Sequence, residues 1–88
     1  MKNTYLISYD MAEGGNYDDL YKAIEDYGTW AKVTESLWAI KTEKKATEIR
    51  ENLGQYFPKG SRLFIVKSGV EAAWRNVICS NEWLKDKL

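Results

Sequence analysis

At 88 residues, with 44% hydrophobic and 14% aromatic content, the chain has room for one modest domain and too many aromatics for disorder. Its 13 basic and 13 acidic residues cancel to a formal net charge of zero, which argues against broad nonspecific binding to nucleic acid. There is no His, which removes the commonest general base, the Ser–His and Cys–His nucleophile pairs and most zinc sites.

Tyr5 to Tyr9 is predicted as the first strand, running straight into Asp10 in "YLISYD". Gly14-Gly15 then breaks the chain; the pair lacks the spacing and the Lys of a phosphate-binding loop and reads as a turn. Tyr17, Leu20, Tyr21, Ile24 and Tyr27 recur at helical spacing, with Asn16 placed as N-cap and Gly28 past the far end. Trp30 to Thr42 is rich in β-branched and aromatic residues, and its polar middle, Thr34-Glu35-Ser36, splits it into two strands with a tight connection. Ala46, Ile49, Leu53, Tyr56 and Phe57 form a second amphipathic stripe, weakened by Gly54 and stopped by Pro58-Lys59-Gly60. Arg62 to Lys67, "RLFIVK", is apolar enough to expect burial on both sides. A tail from Val70 carries Trp74, Val77 and Ile78, then a short helix that Ser80 can cap.

Strand, helix, strand, strand, helix, strand is the α+β ferredoxin-like βαββαβ pattern: a four-stranded antiparallel sheet with two helices on one face. Residues 1–69 form this domain, and residues 70–88 form a tail expected to dock on it or on a dimer partner. Alternation along the first strand places Tyr5, Ile7 and Tyr9 under the helices and Leu6, Ser8 and Asp10 on the other face. That second face needs a cover, and a second copy of the chain is the simplest one. The 4 Trp and 6 Tyr, many for so small a core, point the same way.

Met1 to Gly28 holds two bases against six acids, whereas Thr29 to Lys67 holds eight bases against four acids. Either these are two solvated faces, or an acidic end capable of holding a metal lies beside a basic groove. Lys32, Lys41, Lys44, Lys45 and Arg62 are the candidate phosphate contacts, and Trp30, Trp38 or Trp74 the candidate base-stacking rings, against a core or interface role for the rings. The lone Cys79 reads as a small buried hydrophobe, and the cysteine count suits a reducing cytoplasm. No signal peptide and no bilayer-spanning run is expected.

With His absent, carboxylate plus metal is the chemistry that remains. Asp10 is either a turn residue closing a strand or a ligand for Mg2+, which takes one or two protein carboxylates and keeps several waters. Two Asp10 residues across a twofold axis would make a better site than one.

The strand ending in "YD", the helix ending in "YG" and the hairpin "ESLWAIKT" resemble the small CRISPR-associated ferredoxin-like endoribonucleases over roughly Thr4 to Val66. The closer likeness is to the stand-alone SinR-like members, with a more distant one to VapD-type toxins. The resemblance implies a homodimer joined through open sheet faces and a Mg2+-dependent phosphodiesterase site at Asp10, with Ser36 as the hairpin Ser beside it. Where CRISPR-associated members carry a basic run after the strand-end Asp, this chain has the acidic "MAEGGNYDD", and Ala39 stands where an acid often follows the hairpin aromatic. Both departures point away from long duplex DNA. The expected function is a dimeric Mg2+-dependent endoribonuclease with Asp10 and Ser36 as catalytic residues. The alternatives are a noncatalytic dimeric adaptor or binder of RNA or DNA, and a toxin–antitoxin component.

Overall fold

Strand β1 (Asn3–Asp10) leads to helix α1 (Tyr17–Glu25), the hairpin β2 (Trp30–Thr34) and β3 (Leu37–Thr42), helix α2 (Ala46–Gly54), strand β4 (Arg62–Lys67) and helix α3 (Asn81–Lys87). These elements come from a computed structural model that describes residues 1–69 and 71–88, so Val70, where the tail was expected to begin, lies outside the described residues. The four strands form one antiparallel sheet in the order β2-β3-β1-β4. Central β1 and β3, flanked by β2 and β4, give the expected ferredoxin-like arrangement.

The helices form where the stripes lie. Asn16 caps α1, its side-chain oxygen accepting from the backbone N–H of Asp19 at 3.2 Å, while Asp18 and Asp19 sit at the positive end of the helix dipole. Gly28 ends the segment with φ of 91°, a conformation that favours glycine. One face of the sheet then packs beneath α1 and α2. Tyr5, Ile7 and Tyr9 of β1 and Trp38 and Ile40 of β3 meet Leu20, Ala23, Ile24, Ile49 and Leu53, all buried.

The other face departs from expectation. The chain's own tail covers much of it, building a second apolar cluster of Val33, Ala39 and Leu84 with Leu6, Leu37, Trp74, Val77, Cys79, Trp83 and Leu88 around them. Main-chain bonding holds the tail there: the Ile78 N–H donates to the Val33 carbonyl at 2.9 Å, and the Thr4 hydroxyl donates to the Lys87 carbonyl. Ser80 caps α3 as the sequence indicates, accepting from the Trp83 N–H at 3.1 Å. Leu6 is therefore covered within the chain rather than by a twin. Much of the aromatic surplus is also used internally, because Trp74 and Trp83 serve the tail and Trp38 is buried.

The tail stops short of β4. Phe64 is 65% exposed and Val66 40% exposed, so the expectation that β4 is buried on both sides is wrong. The strand lies at the sheet edge, and its outward side chains face solvent beside Ser8 and Asp10 of β1.

Candidate functional site

The expected site lies where β1 ends beside the β2–β3 hairpin. Only Glu35 and Ser36 separate the two hairpin strands. Neither residue has the positive φ that the favoured two-residue hairpin turns demand, and a register irregularity between Lys32 and Thr34 absorbs the mismatch. The Ser36 carbonyl accepts from the Tyr9 N–H at 3.2 Å, which fixes the hairpin tip against the last residues of β1.

This junction leaves a cavity of about 330 Å3 lined by Tyr9, Asp10, Met11, Tyr17, Tyr21, Glu35 and Ser36. Asp10 and Ser36, the two residues singled out in the sequence as catalytic, thus share one pocket. A second hollow of about 230 Å3, lined by Ser8, Asp10, Arg62 and Phe64 among others, flanks Asp10 on the open face. Asp10 forms the rim between the two.

Asp10 closes β1. It is the last paired residue of β1, opposite Arg62, and its Oδ2 lies 3.8 Å from the Arg62 guanidinium. Both side chains are largely exposed, so the pair contributes little stability and separates readily.

Three phenol rings make the apolar side of the pocket. Tyr9 is buried, and its hydroxyl accepts from the Trp38 indole N–H at 3.2 Å. Burial pushes the Tyr9 phenol far above its ordinary value, with Tyr21 adding in the same direction and the Trp38 bond opposing, so Tyr9 is no acid or base at neutral pH. Tyr21 lies between Tyr17 and Trp38, with ring centroids 5.9 Å and 5.3 Å away. Lys32 lays its ammonium 4.9 Å from the Tyr21 ring centre and 3.7 Å from the Glu35 carboxylate.

The five candidate phosphate contacts do not form one groove. Arg62 and Lys32 stand at the pocket end of the sheet. Lys41 pairs with Thr4 near the start of β1, about 20 Å from Asp10 at ~3.3 Å per residue. Lys44 and Lys45 follow β3 at that same far end. Of the candidate stacking rings, Trp38 is buried and Trp74 is tied to Asn81 through its indole N–H at 3.0 Å, while Trp30 remains 39% exposed.

Sequence reasoning missed Glu35 and the pocket roles of Tyr17 and Tyr21. The two tyrosines belong to the amphipathic stripe of α1, yet Tyr17 opens the helix and is 48% exposed. Glu35 gave no signal beyond its place in the polar hairpin middle.

The Asp10 and Glu35 carboxylates and the Ser36 hydroxyl are oxygen donors at the pocket, with the Met11 thioether beside them in the lining. The oxygens suit a hard cation such as Mg2+, held by one carboxylate, waters and a substrate phosphate. Among the described residues, no group of three or more His, Cys, Asp or Glu side chains is placed to hold a metal ion, so a tight all-protein cage is absent there. Also among them, no helix is long and apolar enough to cross a membrane. Comparison with known proteins finds no match: no family model, no curated protein and no solved structure aligns with the chain.

Proposed function

We propose that the chain is a Mg2+-dependent phosphodiesterase acting on nucleic acid, foremost an endoribonuclease, with its site at the end of β1. One observation carries the reading: Asp10 and Ser36, far apart in sequence, line the same pocket. The resemblance of "YLISYD" and "TESLWAIKT" to small ferredoxin-like endoribonucleases supports it.

Asp10 would hold the cation through its exposed carboxylate, releasing Arg62 to meet a phosphate oxygen. A bound Mg2+ supplies Lewis-acid polarisation of the phosphodiester and a more acidic water. Ser36, fixed by the Tyr9–Ser36 backbone bond, donates its hydroxyl to a phosphate oxygen or orients the attacking water. Lys32 and Arg62 draw the strand to the pocket end. A second copy of the chain over the bare Phe64–Val66 strip belongs to the same reading, because that strip continues from Asp10 and is the part of the open face that the tail leaves uncovered.

A noncatalytic RNA- or DNA-binding dimer is the second reading, favoured by the Arg62 guanidinium, which stands 3.8 Å from the Asp10 carboxylate and competes with a cation for it. Purified protein is incubated with single-stranded RNA and duplex DNA, in Mg2+ or in chelator, beside Asp10→Asn and Ser36→Ala. Cleavage that needs both Mg2+ and Asp10 supports the enzyme. Binding without cleavage, unchanged in Asp10→Asn, selects the binding dimer.

A further inference from the structure

We infer that the pocket at the end of β1 is a base-reading site for guanine, with Glu35 as the specificity-determining residue. This rests on the proposal that the chain acts on a nucleic-acid strand, and it assigns to that strand the base bound beside the reacting phosphate.

Size sets the first limit. A cavity of about 330 Å3 is at the small end of ligand sites and takes one nucleobase with part of its sugar, not a stack of them. Chemistry of the walls sets the second. Tyr17 and Tyr21 offer phenol rings at the mouth, Tyr17 being half exposed. Their 45° tilt at 5.9 Å leaves the two rings splayed rather than stacked face to face. An unpaired base inserted there stacks on aromatic surface whatever its identity.

Charge then decides identity. Among the described residues, the pocket lining carries two carboxylates, Asp10 and Glu35, and no cationic side chain; Arg62 and Lys32 pair with them from outside at 3.8 Å and 3.7 Å. Lys32 lies outside it, its ammonium held over the rings of Tyr21 at 4.9 Å and Trp38 at 5.8 Å. A phosphate group meets its cations, Lys32 and Arg62, on the side of Ser36 and Asp10, which leaves the aromatic side of the pocket to the base. What enters must present hydrogen-bond donors to acceptor-only oxygens. Guanine does so with two adjacent donors, N1–H and the N2 amino group, which match the two oxygens of one carboxylate. Adenine and cytosine each offer an amino group beside a ring-nitrogen acceptor, and uracil offers one N–H between two carbonyls. Each of these three sets an acceptor against the carboxylate and forfeits one of the two hydrogen bonds that guanine makes.

Glu35 fits the reading role better than Asp10. It sits at the hairpin tip with a side chain 90% exposed, and its ionic partner among the described residues, the 25%-exposed Lys32, stands 3.7 Å away, longer than a charge-assisted hydrogen bond. Its neighbour Ser36 is fixed to β1 through the backbone, so the tip is anchored while the Glu35 side chain is free to turn inward. Asp10 stays available for the cation at the rim.

The test uses free mononucleotides, so it does not depend on cleavage. GMP, AMP, CMP, UMP and choline are titrated separately into the full chain while the Tyr17 and Tyr21 ring resonances are followed by NMR. GMP is expected to bind roughly tenfold or more tighter than the other nucleotides, the discrimination typical of one bidentate contact. Glu35→Gln, which faces guanine with an amide donor, is expected to erase that preference without moving the thermal midpoint. Equal binding of all four nucleotides, no shift at the two tyrosines, or a response to choline alone overturns the inference, the last by making the pocket an organic-cation site. Guanine selectivity without cleavage by any preparation sinks the phosphodiesterase reading and leaves the base site standing. Cleavage with no base preference does the reverse.

Discussion

The Trp38 indole N–H donates to the Tyr9 hydroxyl at 3.2 Å, tying β3 to β1 beneath the floor of the pocket. Both side chains are buried, so the bond is shielded from water and neither group has solvent as a substitute partner. Tyr9→Phe keeps the ring but leaves the indole N–H unsatisfied. The expected loss is about 1–3 kcal/mol, read as a lower denaturant midpoint with an unchanged slope. A change of less than a few tenths would show that the indole finds another acceptor.

The same phenol makes stability depend on alkaline pH. Burial raises the folded-state value of Tyr9 above the unfolded tyrosine value of about 10. Below that value both states keep the proton and stability is fully present. As pH rises past it, the unfolded chain releases the proton while the folded chain retains it, so stability falls. Denaturation between pH 8 and pH 11 should therefore show a steeper decline for the native chain than for Tyr9→Phe. Parallel curves would mean that Tyr9 ionises normally in the folded protein.

The tail is a structural part of the domain, not an accessory. Leu84 is buried at 2% exposure against Val33 and Ala39, on the face opposite the helices. Leu84→Ala removes its apolar contacts and leaves a gap under α3, with an expected cost of about 2–5 kcal/mol. In a chain of this size that lowers the thermal midpoint by roughly ten degrees or more. Calorimetry decides it, and a midpoint within about two degrees of the native chain would show that the tail adds little.

Much of this architecture was legible because local signals agreed with one another. Tyr5, Ile7 and Tyr9 alternate cleanly against Leu6 and Ser8, and the structure buries the first set under α1 and α2. Asn16, Gly28 and Ser80 marked ends that the backbone confirms. What failed was the inference from composition to burial. "RLFIVK" is as apolar as an interior strand, yet exposure depends on how far the tail reaches, and nothing in that segment encodes the reach. Tyr17 misled for a related reason: helical spacing specifies a face, but Tyr17 opens α1 and stands half exposed at the pocket. Asp10 stood out at a strand end, whereas Ser36 came only from the resemblance of "TESLWAIKT" to the endoribonuclease hairpin. Glu35 entered only when folding brought the hairpin tip beside β1.

The bare side of β4 gives a prediction about assembly. Phe64 and Val66 project on one face next to Ser8, beyond the area covered by the tail. Phe64→Lys places a charge on that strip while leaving the core untouched, because Phe64 is already 65% exposed. If a second copy covers the strip, sedimentation of the native chain shows a dimer and that of Phe64→Lys shows a monomer with an unchanged thermal midpoint. A monomeric native chain at micromolar concentration would remove the twin from the proposal.

Asp10→Asn separates function from folding at the site itself. The carboxylate is exposed and meets Arg62 only at 3.8 Å, so neutralising it removes a weak, solvent-screened contact. The expected thermal midpoint shifts by no more than about 5 degrees, given the cost of under ~1 kcal/mol typical of exposed pairs. Any loss of Mg2+-dependent turnover in this variant is then a loss of chemistry rather than of fold. Arg62→Gln supplies the converse: it removes the competitor for Asp10 while leaving the carboxylate charged. If Asp10 holds the cation, Arg62→Gln binds Mg2+ more tightly than the native chain, measured by titration calorimetry, even if phosphate contact and turnover fall. An Mg2+ affinity that drops in Arg62→Gln, or one that survives in Asp10→Asn, would place the cation elsewhere.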